Sequence, residues 1–151
     1  MAKIYVASSW RNPRQPDVCA FLRSQGHEVY DFRNPAPGNT GFAWSSIDPA
    51  WQDWSPEGFR DGLDHPIAHE GFSFDFEAMK WSDQCVLVLP CGRSAHLEAG
   101  WCMGKDKPVT IYAPVPVEPE LMYLLEGESA AICTNLAEVA ARVKRKQEEA
   151  A

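Results

Sequence analysis

The sequence predicts a three-layer α/β domain in which about five parallel strands are covered by helices on both faces. Three observations carry this reading. The runs KIYVAS (3–8), QCVLVLP (84–90) and KPVTIYAP (107–114) are apolar, β-branched or aromatic with little polar alternation, as strands buried on both faces require. Stretches with helical periodicity stand between those runs, so strand and helix alternate along the chain. At 151 residues the chain is one domain's worth, long enough to bury close to about 70 % of the surface its unfolded form exposes.

The elements follow in order. After the first strand, PDVCAFLRSQG places Val18, Phe21 and Leu22 at i, i+3, i+4, with Gly26 set to end the helix. HEVYDF (27–32) is a weaker strand. Residues 33–66 break the alternation: they are rich in Pro, Gly, Ser and Asp yet carry Phe42, Trp44, Trp51, Trp54 and Phe59. A long loop with so many rings reads as a lid or binding loop, Trp44 being a candidate platform for a flat ligand; packing of the loop or a subunit contact is the other use of the same rings. GFSFDFEAMKWSD gives a helix with Phe72, Phe76 and Met79 on one face, leading into strand 84–90. CGRSAHLEAGWCMGKDKPV then starts a helix with Leu97, Trp101 and Gly104 on one stripe and Gly104 as the stop. ELMYLLE (120–126) and LAEVAARVKRKQEEA (136–150) read as helices, the last with a solvated basic run, and AAICTN (130–135) as a weak fifth strand.

Composition narrows the partners. With 45 % hydrophobic and 23 % charged residues the chain reads as an ordinary soluble globular protein. A formal charge of −7 argues against a nucleic-acid backbone or an anionic membrane surface, both of which call for a basic patch, and leaves a small molecule as the expected partner. The N-terminal MAKIYVASSW offers only a four-residue apolar run, too short for a signal peptide or a span, so a cytoplasmic location is expected. Five scattered cysteines form no CxxC spacing, and neither a disulfide framework nor a metal is indicated. Cys91, at a strand end, is a candidate nucleophile, but no histidine stands in a telling relation to it along the sequence, so a buried or incidental thiol is the expected reading.

Glu98 is the residue that most needs a reason. A helix that begins after a parallel strand has its N-terminus at the strand's carboxyl end, where open α/β sheets place ligands. Its neighbours Leu97, Ala99 and Gly100 are small or apolar, and a carboxylate among them is costly without a task. A favourable interaction with the helix dipole is the plainer alternative, worth about 0.3–1 kcal/mol.

The strand tyrosine of KIYVAS, the aspartate of FDFEAMKWSDQCVLVLP and the run HLEAGWCMGKDKPV together resemble the nucleoside 2-deoxyribosyltransferases and related nucleotide N-glycosidases, whose signature ends in xxELGxAxxxGKPV. The resemblance spans residues 3 to 112 and implies a flavodoxin/Rossmann-like fold without cofactor. It implies that Glu98 attacks the anomeric carbon and forms a glycosyl ester, that Asp75 attends the departing base, and that Tyr5 orients Glu98. A helix-surface aspartate and a core tyrosine are the plainer readings of the last two. One departure is informative: the aspartate that the deoxyribosyltransferases carry six residues before the glutamate is here Gly92, followed by Arg93 and Ser94. Gly-Arg-Ser at a helix start can cradle an anion, and Ser8, Ser9 and Arg11 can line the same pocket, which is more like the relatives that grip a 5′-phosphate; a plain cap with a surface arginine is the alternative. Relatives that complete their pockets from a neighbouring subunit, with the apolar face of ELMYLLE, imply a homo-oligomer, at least a dimer. Two other readings stand beside this one: a TIR-like NAD glycohydrolase, whose S…WCxxE order is not reproduced here, and a nucleotide-binding module without turnover. The base, the sugar and the choice between transfer and hydrolysis are left open by the sequence.

Overall fold

The computed structural model describes all residues, 1–151. In chain order the elements are β1 (Lys3–Ala7), α1 (Gln15–Ser24), β2 (Glu28–Asp31), α2 (Pro56–Leu63), α3 (Pro66–Trp81), β3 (Gln84–Val88), α4 (Arg93–Gly104), β4 (Val109–Tyr112), β5 (Ile132–Cys133) and α5 (Leu136–Glu149). They form two compact units, Met1–Asp31 with Trp81–Ala151, and Phe32–Lys80. No helix is long and apolar enough to cross a membrane.

The first unit holds the sheet, five parallel strands in the order β2-β1-β3-β4-β5. Side chains alternate between its faces. Ile4, Val6, Val86, Val88, Tyr112 and Cys133 point to one face, where Val18, Cys19 and Leu22 of α1 and Val139 and Val143 of α5 complete the core. Tyr5, Cys85, Leu87, Val109 and Ile111 form the other face, all without exposure, and α4 packs over β1, β3 and β4 there. The expected three-layer α/β arrangement is therefore present, with the strand order of flavodoxin-like sheets.

Two helices of this unit stop in the same way. In α1, Gly26 (φ 86) is left-handed, its N–H bonds Arg23 O at 2.9 Å, and His27 N bonds Leu22 O at 3.3 Å. In α4 the left-handed residue is Asp106 (φ 56), not the expected Gly104; Asp106 N bonds Met103 O at 3.1 Å and Lys107 N bonds Cys102 O at 3.0 Å. Both are Schellman closures, and an aspartate tolerates the left-handed conformation better than most residues.

ELMYLLE is a 3-10 helix over Leu121–Glu126 rather than an α-helix. Its Glu126 accepts Val109 N at 2.9 Å through Oε1 and Arg142 Nη2 at 2.8 Å through Oε2. Arg142 is buried at 3 % exposure and also pairs with Glu128, so the basic stretch of α5 is not wholly solvated: Arg142, Arg145 and Lys146 converge on Glu128.

The second unit corrects the expected loop at 33–66. That segment contains the 3-10 turns Trp44–Ser46 and Trp51–Asp53 and the helix α2, capped by Ser55 Oγ accepting Gly58 N at 3.1 Å and opened by Pro56 at its first position. Trp44 is the hub of a ring cluster, with centroids 4.8 Å from Phe42, 5.8 Å from Trp54 and 6.3 Å from Phe59. Trp54 donates its indole N–H to Asp48 Oδ2 at 2.6 Å, and that bond, with Ala50 N–H, holds the Asp48 carboxyl below its ordinary range. In α3 the expected inward face is shifted: Met79 is buried with Ala68 and Ala78, but Phe72 is 60 % exposed and stacks on half-buried Phe76. Small residues explain the shift, because Gly71, three positions after Ala68, leaves room for the Phe42 ring, which a β-carbon there would meet at 3.0 Å.

Candidate active site

The helix α4 begins where β3 ends, and Gly92, in extended conformation (φ −92, ψ −161), turns the chain into it. No side chain caps this end, and Gly92, Arg93 and Ser94 are all exposed. The buried stripe of the helix is Ala95, Ala99 and Cys102, not the expected Leu97, Trp101 and Gly104; Leu97 is 75 % exposed. Alanines let the helix lie close to the sheet, which leucine and tryptophan at those positions would hold off. Glu98 stands three residues after Ala95 and four before Cys102, on the flank of that stripe, and is half-buried.

Two thiols register the Glu98 carboxylate. Cys91 is pushed up to about 11, by burial first and then by the Glu98 charge. Cys85 is pushed well above its ordinary value, chiefly by its hydrogen bond to Cys102, then by burial, and also by Glu98. Both thiols are therefore neutral near pH 7. Cys85 is the ladder partner of Tyr5, and Tyr5 is the ladder partner of Tyr30, on which its ring stacks at 5.4 Å and 13°. Tyr5 thus lies fully buried on the face that α4 covers, one strand from a thiol that senses Glu98.

The β1–α1 loop meets the β3–α4 turn through side chains. Ser8 Oγ donates to Val88 O at 2.9 Å. Asn12, at 2 % exposure, donates from Nδ2 to Val88 O at 3.3 Å and to Pro90 O at 3.2 Å, while its Oδ1 accepts Arg14 N at 3.0 Å. Ser9 Oγ accepts Arg11 N at 3.1 Å. Arg11, Arg14 and Arg93 are exposed and take part in none of the ion pairs, so the carboxyl edge of β1 and β3 is locally cationic in a chain of charge −7.

A histidine does meet Cys91, one turn into α4. His96 Nδ1 lies 3.7 Å from Cys91 Sγ, but also 2.8 Å from Gly92 O, and its Nε2 lies 2.9 Å from Tyr123 OH. A carbonyl only accepts, so Nδ1 carries the proton and Nε2 accepts from the tyrosine. His96 in that tautomer cannot take a proton from Cys91, and a thiol raised to about 11 is not poised to attack. The pair instead ties the 3-10 segment, through Tyr123 stacked on the imidazole, to the start of α4.

Of the sequence-derived residues, Tyr5 and Ser8 belong to β1 and the loop after it, and Gly92, Arg93, Ser94 and Glu98 to the turn and helix that follow the adjoining strand β3. Trp44 and Asp75 belong to the second unit, Trp44 half-buried among the rings described above and Asp75 half-buried along α3. Sequence reasoning missed Asn12 and His96. Asn12 has no spacing signal, since it bonds residues 76 and 78 positions away, whereas His96 stands one helical turn after Gly92 and five residues after Cys91.

No protein-family model matches the chain, and no curated protein sequence does. Solved structures do. The 2-deoxyribosyltransferase of Bacillus psychrosaccharolyticus superposes with a TM-score of 0.60 at 22 % identity, over 92 % of this chain and 90 % of that one. The CMP N-glycosidase BcmB of Clostridium botulinum superposes with a TM-score of 0.50 at 18 % identity, over 93 % of this chain and 97 % of that one. The likeness at these identities is one of fold.

Proposed function

We propose that this chain is an enzyme of the nucleoside 2-deoxyribosyltransferase-like kind that breaks the N-glycosidic bond of a nucleoside or nucleoside 5′-monophosphate, with Glu98 as nucleophile. The observation that carries the reading is the setting of Glu98: a half-buried carboxylate in the first turns of the helix that leaves the carboxyl end of β3, close enough for its charge to raise the thiols of Cys85 and Cys91. Partial desolvation leaves such a carboxylate less shielded by water and more able to attack. The fold shared with a deoxyribosyltransferase and a CMP N-glycosidase supports the same chemistry.

In this reading a Glu98 oxygen bonds to the anomeric carbon as the carbon–nitrogen bond breaks. The bonding pair leaves with the base, whose departing nitrogen takes a proton from an acid, the role that the family resemblance gives to Asp75. Water or a second base then attacks the anomeric carbon and frees the carboxylate. Tyr5, held flat against Tyr30, orients the Glu98 carboxylate. The start of α4 at Gly92–Ser94 and the Arg93 guanidinium receive the 5′-phosphate, with Arg11 adding charge at the same edge and Ser8, whose hydroxyl proton goes to Val88 O, lining the pocket. The active form is a homo-oligomer.

The test is incubation with a mixture of nucleosides, nucleoside 5′-monophosphates and NAD, followed by detection of liberated bases. A free base from a nucleoside or monophosphate, lost by several orders of magnitude in Glu98→Gln, is the expected result. Turnover near wild type in that variant ends the covalent mechanism, and nicotinamide as the sole product moves the enzyme to NAD cleavage. Arg93→Ala is expected to weaken the monophosphate about tenfold to a hundredfold and the bare nucleoside little.

A further inference from the structure

The buried amide of Asn12 joins the two loops that carry the candidate site. Val88 O also accepts the Ser8 hydroxyl, and Pro90 is exposed, so water can reach its carbonyl if the amide is removed. What the side chain alone supplies is geometry. One Nδ2 bonds two carbonyls on either side of Leu89, and Oδ1 holds the amide of Arg14 at the start of α1. The amide thereby fixes the spacing between the loop bearing Arg11 and Arg14 and the turn that delivers Gly92, Arg93 and Ser94.

We infer that Asn12 is a positioning residue for substrate binding: through the Val88–Pro90 turn it sets where the anion-receiving start of α4 stands. The inference rests on the proposed function for what is bound there, but not for the strut itself. Glu98 lies more than a turn further along α4, where Ala95, Ala99 and Cys102 seat the helix on the sheet independently of the turn. Loss of the amide therefore moves the binding end and leaves the carboxylate in place. It raises KM and spares kcat, whereas damage to the fold reduces the active fraction, lowering apparent kcat with KM unchanged.

Asn12→Ala removes the strut; Asn12→Asp keeps the shape and the acceptor for Arg14 N but turns a carboxylate toward two carbonyls. Both are compared with wild type on the nucleoside 5′-monophosphate from which wild type releases base, and by hydrogen exchange of residues 92–95. Expected are a KM raised about tenfold or more, a kcat within about threefold, and faster exchange at 92–95 with β3 unchanged, in both variants. A fall in kcat at constant KM, or unaltered exchange at 92–95, overturns the inference, as does an Asn12→Asp variant indistinguishable from wild type. If wild type releases no base from any nucleoside or nucleotide, the functional reading fails by itself; faster exchange at 92–95 in the variants then still upholds the strut, and unchanged exchange removes it.

Discussion

Cys91 offers a view of Glu98 that does not depend on turnover. Its thiol is raised to about 11 by burial and by the Glu98 charge, so near pH 8 it is almost wholly protonated and reacts slowly with alkylating reagents. In Glu98→Gln the electrostatic part of the shift disappears and the burial part stays. Peptide-level mass spectrometry is expected to show faster alkylation of Cys91 in the variant at pH 9–10, with a smaller difference above 11; equal rates across that range would place the carboxylate away from the thiol. The position of Glu98 was legible because strand end, helix start and signature fall within one short stretch of chain. Its surroundings were not, because Cys85 meets it only when α4 folds back over β3 and Cys91 only through the turn between them. Asn12 was invisible for the same reason: its partners are neighbours only after β1 and β3 pair.

At the scale of the element, periodicity identified helices better than it oriented them. In α4 the larger apolar residues were expected inside, yet the sheet takes the alanines and Cys102 because close approach there outweighs the burial of one more leucine. The glycines of α2 and α4 make a paired test of local packing. Gly100 is exposed, with nothing within 4 Å of where a β-carbon would stand, so Gly100→Ala is expected to raise stability by about 0.5–1 kcal/mol through helix propensity and a less flexible unfolded chain. Gly62 would put a β-carbon 2.4 Å from the Trp54 ring, whose indole is held by Asp48. There overpacking, about 1–3 kcal/mol, exceeds the propensity gain, and denaturant melts should show Gly62→Ala less stable than wild type. In the 3-10 connection before β5, Glu128 is lowered from 4.5 to about 2, chiefly by its hydrogen bond to Arg142, with Lys146 assisting against some desolvation. A carboxyl whose folded value is depressed contributes fully above 4.5 and loses its contribution as pH falls toward about 2. The stability difference between wild type and Glu128→Gln should accordingly be constant above pH 4.5 and shrink below it; a difference independent of pH would deny the ion pair a role.

For the molecule as a whole, the sheet was legible because three of its strands are buried on both faces and therefore spelled in uninterrupted apolar residues. The second unit was not, because its stability comes from rings packing on rings and on glycines, a pattern with no period to read. Leu121, Met122, Leu124 and Leu125 are exposed at 71, 60, 59 and 64 %, around a buried Tyr123, with Ile132 at 41 % nearby in sequence. Such a run is more than a monomer ordinarily leaves in water, and self-association is expected. Sedimentation should give a mass above 16.9 kDa that falls to the monomer in Leu124→Glu/Leu125→Glu; a monomeric wild type at assay concentration would refute it. The segment that shows these leucines is strapped at three points, Tyr123 to His96, Glu126 to Val109 and Glu126 to Arg142. A second copy arriving there meets a surface whose ordering entropy was already lost in the monomer, so little conformational freedom remains to be surrendered on docking. Association is then expected as a single second-order phase without a slow rearrangement, and the lifetime of the assembly is set by how fast it comes apart.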